Sequence, residues 1–247
     1  MIDEDWSGFG AAFTEVVRPA VARGRYGRRL FAVAVAALLA MSISALMYGA
    51  LGGGSKTPAG PTAVGPDWTA VAGPTCAAAS TGFTAVGYST AAVSAQTTGW
   101  STSASGGYTG GGCTGGFLSM PMSGNATAYD SSRTALWNFD PGSRYATASC
   151  RLSVYVPDNA AIGFVGGDPA YYYFYGTRYS AGSKAAPLGS FQVGQVSQLG
   201  DWVSGPAFHI TTGQVTVRLI DAGVDQTTAT MDAHLAAAQV RLTCQAS

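Results

Sequence analysis

Five consecutive aromatic side chains at positions 171–175 are the feature of this sequence with the clearest binding chemistry. Because side chains alternate along a strand, the three odd-numbered tyrosines would share one face, and Tyr172 and Phe174 the other. One face must pack in the hydrophobic core, and the other presents aromatic rings with polar tips. Such rings can stack on sugars, can form the centre of a protein interface, or can simply pack as favoured strand residues. The predicted ligand-binding residues are Tyr171, Tyr173, Tyr175, Arg178 and Tyr179.

Carboxylates that could act as catalytic acids or bases are scarce outside the N-terminal region. Both glutamates, Glu4 and Glu15, lie there, so a glycosidase would have to use a pair of aspartates. Most aspartates stand in turn sequences such as Asp-Pro-Gly at 140–142, where Asp favours the turn itself. No G-x-S-x-G, H-E-x-x-H or P-loop motif occurs. We therefore expect no enzyme activity, and a cell-wall hydrolase using Asp201 or Asp232 is the third hypothesis.

The four cysteines predict two disulfides in an oxidising compartment, because their number is even and all of them follow residue 75. Three pairings are possible. Cys150 opens one predicted strand and Cys244 ends the last one, so antiparallel neighbouring strands would bring them together. That pairing leaves Cys76 with Cys113.

Metal-binding signals are weak, and we predict no metal and no cofactor. No Cys-x-x-Cys spacing occurs, and the two histidines, His209 and His234, are expected to be structural or to lie at the surface. A calcium site using Asp221 and Asp225, with Asp232 nearby, is the remaining alternative.

An uncharged apolar run at 30–51 predicts a single-pass membrane protein. Its 22 positions would extend about 33 Å as a helix, enough to cross a hydrocarbon core of ~30 Å. Arginines before the run should stay in the cytoplasm, which predicts a cytoplasmic N-terminus and an exported C-terminal part. These arginines are Arg18, Arg23, Arg25, Arg28 and Arg29.

Two other interpretations of this run remain open. It could be a buried core helix, or it could be a cleaved export signal, since Arg28-Arg29 followed by Leu30-Phe31 resembles a twin-arginine signal. We favour an uncleaved signal anchor, because the run is longer than the usual 7–15-residue signal core and no Ala-x-Ala site closes it.

The composition of the whole chain excludes several functional classes. Thirteen basic residues balance thirteen acidic ones, so no basic surface indicates nucleic-acid binding. Only 11% of residues are charged, against about 25% in an average domain, and there are 34 glycines. Period-two alternation at 150–156, 215–219 and 240–244 predicts half-buried antiparallel strands, and only 226–238 hints at a helix. The predicted fold is an all-β, jelly-roll-like β-sandwich ectodomain preceded by one transmembrane helix.

The predicted organisation has four parts. Residues 1–29 form a cytoplasmic tail and 30–51 the transmembrane anchor. Residues 52–74, rich in Gly, Pro and Ala, form a flexible stalk. Residues 75–247 form the extracellular domain.

Short motifs of this domain occur in the order that a known family has them. They are Thr-Gly-Trp-Ser at 98–101, a Gly-rich stretch at 106–110, a Trp strand at 135–139, a strand ending in Val-Tyr-Val-Pro at 152–157, the aromatic run at 171–175, Val-Gly-Gln at 193–195, Gly-Asp-Trp-Val at 200–203, Ala-Phe at 207–208, Asp-Ala at 232–233 and a last strand at 239–242.

In these motifs the domain resembles the golvesin C-terminal-like domain, also described as the xanthan-lyase carbohydrate-binding-module-like domain. The resemblance implies a jelly-roll β-sandwich of the kind found on bacterial secreted and surface proteins, often beside hydrolases or peptidases. That family has no defined catalytic residues to transfer, and its common pattern lacks the four cysteines.

Together these observations predict a membrane-anchored bacterial cell-surface protein with a stalked, disulfide-bonded domain. Its expected role is non-catalytic recognition of an envelope glycan or a surface protein partner, without nucleic acid. The alternative is a structural subunit of a surface or secretion-associated assembly.

Overall fold

The computed structural model describes residues 67–89, 99–224 and 233–247, and these residues are all-β with almost no helix. They form twelve strands in three antiparallel sheets, and their helical pieces are the 3-10 turns Ser143–Tyr145 and Gln195–Ser197. The strands are β1 Trp68–Ala72, β2 Thr81–Val86, β3 Ser101–Ser103, β4 Phe117–Pro121, β5 Thr134–Phe139, β6 Ala148–Tyr155, β7 Ala170–Tyr175, β8 Gly189–Val193, β9 Trp202–Ile210, β10 Val215–Ile220, β11 His234–Ala237 and β12 Val240–Ala246.

Two large sheets pack face to face around the core. One has the strand order β1-β12-β6-β9 and the other β2-β5-β10-β7-β8. Their inner faces meet in ring contacts such as Phe174 of β7 with Phe208 of β9, whose centroids are 4.5 Å apart. The rings of Trp68 of β1 and Phe139 of β5 also make contact between the sheets, edge to face with centroids 6.5 Å apart. The described residues therefore form a β-sandwich-like fold.

The period-two alternation identified the inward faces of three strands correctly. Leu152 and Val154 of β6, Val217 of β10, and Val240 and Leu242 of β12 are all fully buried. Each such side chain contributes about 1.5–3 kcal/mol by leaving water. On β10, however, the residues predicted to face solvent are buried too, because side chains from two loops cover them.

The helix suggested at 226–238 is not present where the structure describes this segment, at 233–238. His234–Ala237 is strand β11, which pairs with β4. The other side of β4 pairs with β3. The small alanines of β11 are buried, and the carbonyl of Ala238 accepts a hydrogen bond from Trp137 Nε1 at 2.8 Å. Tertiary packing outweighs the helix propensity of alanine here.

Strand β1 lies in the segment that composition assigned to the stalk. Trp68–Ala72 pairs antiparallel with β12, from Trp68 opposite Cys244 to Ala72 opposite Val240. The glycine and proline residues on both sides of this five-residue strand gave the segment the composition of a flexible linker. The predicted cytoplasmic tail, the predicted transmembrane run and the predicted stalk up to residue 66 lie outside the described residues. Among the described residues, no helix has the length and apolarity needed to span a membrane.

The edge strand β9 carries an irregularity. Its pairing with β6 shifts between Arg151 and Ser153, where β9 runs from Ala207 to Ser204. The residues between, Gly205 and Pro206, fit an edge, because proline has no N–H to donate to a ladder.

Both disulfides of the favoured pairing are present. Cys150–Cys244 joins the neighbouring strands β6 and β12, where the two residues are directly opposite. Cys76–Cys113 joins the loops after β1 and before β4.

Candidate functional site

Strand β7 carries the aromatic run and lies inside its sheet, between β10 and β8. Tyr172 and Phe174 point into the core and are almost completely buried. The Tyr172 hydroxyl accepts a hydrogen bond from Gln195 Nε2 at 3.0 Å. Tyr171 and Tyr173 are half-buried on the opposite face. The odd-numbered tyrosines are therefore on the outer face of the sheet.

A groove of about 240 Å³ opens on this outer face. We call it the tyrosine groove. Three of the five predicted binding residues line it, whereas Tyr171 lies further along the same face and Arg178 is exposed beyond the end of β7. The groove is lined by Tyr129, Tyr173, Tyr175, Tyr179, Ser183, Lys184, Ala185, Pro187, Arg218 and Ile220.

The loop after β7 folds back over the sheet and brings Tyr179 to the groove. The backbone N–H of Tyr179 donates to Thr216 Oγ1 of β10 at 3.1 Å. Thr216 Oγ1 in turn donates to Asn138 Oδ1 of β5 at 2.9 Å. The rings of Tyr175 and Tyr179 lie with their centroids 4.4 Å apart and their planes tilted by 31°. This fold-back explains why Thr216, predicted to face solvent, is buried.

Arg218 of β10 forms the base of the tyrosine groove and is only 5% exposed. Its Nε donates to Thr134 Oγ1 at 3.2 Å and its Nη1 to the Tyr179 hydroxyl at 3.1 Å. The guanidinium carbon lies 4.9 Å from the ring centroid of Tyr129 and 5.2 Å from that of Tyr179. A desolvated cation–π contact contributes about 2 kcal/mol, so these rings offset part of the cost of burying the charge.

An ion pair between the buried Asp221 and the half-buried Arg133 holds the loop that carries Tyr129. Asp221, directly after β10, accepts a hydrogen bond from the backbone N–H of Asp130 at 2.8 Å and lies 3.1 Å from Arg133 Nε. Burial raises the pKa of the Asp221 carboxyl, and the positive charge of Arg133 opposes that rise. Hydrogen bonds from Ser132 lower the pKa of the exposed Asp130. Tyr129 itself stays 47% exposed at the mouth of the groove.

Asp221 is thus a structural residue, which removes one ligand from the calcium alternative. Asp225 and Asp232 lie outside the described residues. Within the described part of the chain, no three His, Cys, Asp or Glu side chains group as a metal site would require. Asp201 is exposed before β9, His209 is exposed on β9, and the ring of His234 lies 3.2 Å from the carbonyl of Gly99.

The tyrosine groove presents rings and hydrogen-bond donors. Its lining includes the cations of Lys184 and Arg218 and, within the described residues, no carboxylate. Burial raises the pKa of Tyr175 and outweighs the opposing effect of Arg218, so its hydroxyl stays protonated at neutral pH. Glycoside hydrolysis typically uses a pair of carboxyl groups that flank the scissile bond. This lining suits binding.

Sequence reasoning missed Tyr129, Lys184 and Arg218. Tyr129 is more than forty residues from β7 along the chain, and Arg218 reaches the tyrosines because it pairs directly with Tyr173. The sequence signal for Arg218 was its position inside the largely apolar β10 segment. Its place beside the tyrosines follows only from the pairing of β10 with β7.

No protein-family model and no curated protein matches this chain. Among solved structures it is similar to the K1 cleaved adhesin domain of Lys-gingipain (Kgp) from Porphyromonas gingivalis W83. The identity is 12%, the similarity covers 74% of this chain and 99% of that chain, and the TM-score is 0.40. Similarity at this level assigns no function to this chain, and the resemblance to the golvesin-like family is not shown.

Proposed function

We propose that this chain is a non-catalytic cell-surface protein that binds an envelope glycan in the tyrosine groove. The observation that carries the proposal is the convergence of tyrosine rings around Arg218 in a groove lined without a carboxylate. Sugar rings have apolar C–H faces that stack on tyrosine, and their hydroxyls are acceptors for Arg218 and Lys184. A volume of about 240 Å³ is below the 300–1,000 Å³ of pockets for drug-sized ligands, which suits the end of a glycan.

We also propose that the sandwich is a jelly roll and that the apolar run anchors the chain in the membrane. Eight antiparallel strands stand in two facing sheets, β1-β12-β6-β9 and β5-β10-β7-β8, to which β2 adds an edge. Two facing sheets of four strands are the arrangement of a jelly roll. The apolar run at 30–51 would tether this domain outside the cell with the N-terminus in the cytoplasm, as its flanking arginines suggest.

The test is glycan binding by the full-length chain, oxidised and purified in mild detergent, against a panel of purified cell-envelope polysaccharides. Tyr129→Ala and Tyr173→Ala each remove one ring from the groove, and each should weaken binding at least fivefold, the loss of about 1 kcal/mol that defines an important contact. Tyr171→Ala is the matched control, because it removes a tyrosine from the same strand face outside the groove.

Saturable binding that Tyr129→Ala and Tyr173→Ala weaken and Tyr171→Ala leaves intact would support the tyrosine groove as the site. Absence of glycan binding by the folded wild type, or equal losses in all three variants, would overturn it. Self-association of the wild type without glycan binding would favour the assembly-subunit hypothesis. Release of reducing sugar that Asp201→Ala abolishes would favour a hydrolase.

A further inference from the structure

The outer face of the β1-β12-β6-β9 sheet holds a second and larger groove, of about 640 Å³. It lies on the opposite large sheet from the tyrosine groove and shares no lining residue with it. We call it the arginine face, after its two cations, and its polar residues are Thr69, Ser149, Arg151, Ser153, Ser204, Arg241, Thr243 and Gln245.

The two arginines are diagonal neighbours on adjacent strands. Arg241 of β12 stands opposite Ser153 of β6, and Arg151 stands opposite Thr243. Diagonal neighbours on one face of an antiparallel pair are about 7–8 Å apart. The Arg241 guanidinium lies over the Trp202 ring, 4.4 Å from its centroid. That contact holds Arg241 in place, while Arg151 is exposed.

Neither guanidinium meets a carboxylate in the part of the chain that the structure describes. Among the described residues, no carboxylate oxygen lies within 4.0 Å of Arg151 or Arg241, and the lining of the groove contains no acidic residue. Arginine presents five N–H donors in a planar fork that matches a carboxylate. Two such forks, side by side and open to solvent, fit a ligand that carries carboxylates.

Hydroxyl groups surround the two cations. Thr69 Oγ1 and Thr243 Oγ1 are 3.1 Å apart, and Ser153 Oγ and Ser204 Oγ are 3.2 Å apart. A hydroxyl has one donor and two acceptor sites, so each pair keeps free sites for a ligand. Their short side chains also leave the space above the strands open, which makes the face concave between the longer arginines.

We propose that the arginine face binds an acidic polysaccharide. Its carboxylates pair with Arg151 and Arg241, and its hydroxyl groups bond to the serine and threonine hydroxyls. An acidic peptide is a poorer fit, because the groove lining holds none of the aromatic anchors on which protein partners depend. Nucleic acid is a poorer fit, because its affinity comes from many phosphate contacts and this face has two cations.

The experiment measures binding of the full-length chain to polygalacturonate, with its fully methyl-esterified form as the neutral counterpart. Arg151→Gln with Arg241→Gln should weaken binding to polygalacturonate at least tenfold, and the ester should not bind. Arg144→Gln with Arg178→Gln is the control, since it removes the same charge from two exposed arginines elsewhere. That control should change the affinity less than twofold.

Three outcomes would overturn the proposal: no binding by the wild type, an equal loss in the control double variant, or equally tight binding of poly-glutamate. The second would mean diffuse charge attraction, and the third would mean an acidic peptide ligand. Because none of these arginines lines the tyrosine groove, failure of the glycan site proposed there would leave this result interpretable.

Discussion

Tyr172 and Tyr173 are adjacent in the chain, yet the sheet gives them different roles. Tyr172 is fully buried between the large sheets, where its hydroxyl bonds to Gln195, and Tyr173 faces the tyrosine groove. Alternation along a strand predicts that such neighbours differ. It does not predict which face is covered, because here the covering side chains, Tyr129 and Tyr179, come from separate loops.

Burial raises the pKa of Tyr172, so the folded chain keeps this proton at pH values where the unfolded chain has lost it. The resulting stabilisation is complete below pH about 10, the value for a free tyrosine, and is lost as pH rises through the folded-state pKa. We expect this tyrosine to remove about 1.4 kcal/mol from the free energy of unfolding per pH unit above 10. Urea unfolding at pH 8 and pH 11 measures it.

Tyr172→Phe is the comparison for that measurement. It should be less stable than the wild type at pH 8 by about 1 kcal/mol, because the hydrogen bond from Gln195 is lost. It should then lose less stability between pH 8 and pH 11. An identical loss in both chains would mean that Tyr172 does not titrate in the way its burial requires.

At the scale of elements, β1 should be part of the folding unit. A chain that begins at residue 75 lacks Val71 and Ala72 in the core and the contact of Trp68 with Phe139. It also leaves β12 unpaired on one side. We expect a loss of at least about 3 kcal/mol relative to a chain that begins at residue 67, comparable to removing a core tryptophan. Thermal unfolding of both chains gives the difference, and equal melting temperatures would show that β1 is dispensable.

How far the sequence predicts the elements depends on their packing. Strands with one face in the core, such as β6 and β12, show a period of two and are predictable. The alanines of β11 have no such pattern, because both faces of that strand are buried, and β1 is short and flanked by glycine and proline. Of the tyrosine groove, the sequence predicted Tyr173, Tyr175 and Tyr179, but not Arg218, which joins it through the pairing of β10 with β7.

At the scale of the whole molecule, the predicted anchor is tested by whether the chain stays in the membrane and on which side of it the β-domain lies. In a bacterial host, the full-length chain should stay in the membrane fraction after alkaline carbonate washing, because 22 apolar residues span about 33 Å as a helix. Protease added to intact cells should remove the β-domain and leave an N-terminal membrane fragment. A secreted chain that begins after residue 51 would contradict the anchor and support a cleaved signal.

The irregular edge strand β9 has a consequence for contacts between copies of this domain at high concentration. Proteins tethered at high density meet their own copies constantly, and an open sheet edge invites a second copy to extend the ladder. On β9, an arriving strand would meet Pro206, which offers no N–H, next to a break in register with β6. This edge therefore resists the strand-by-strand addition of further copies that would build a fibre.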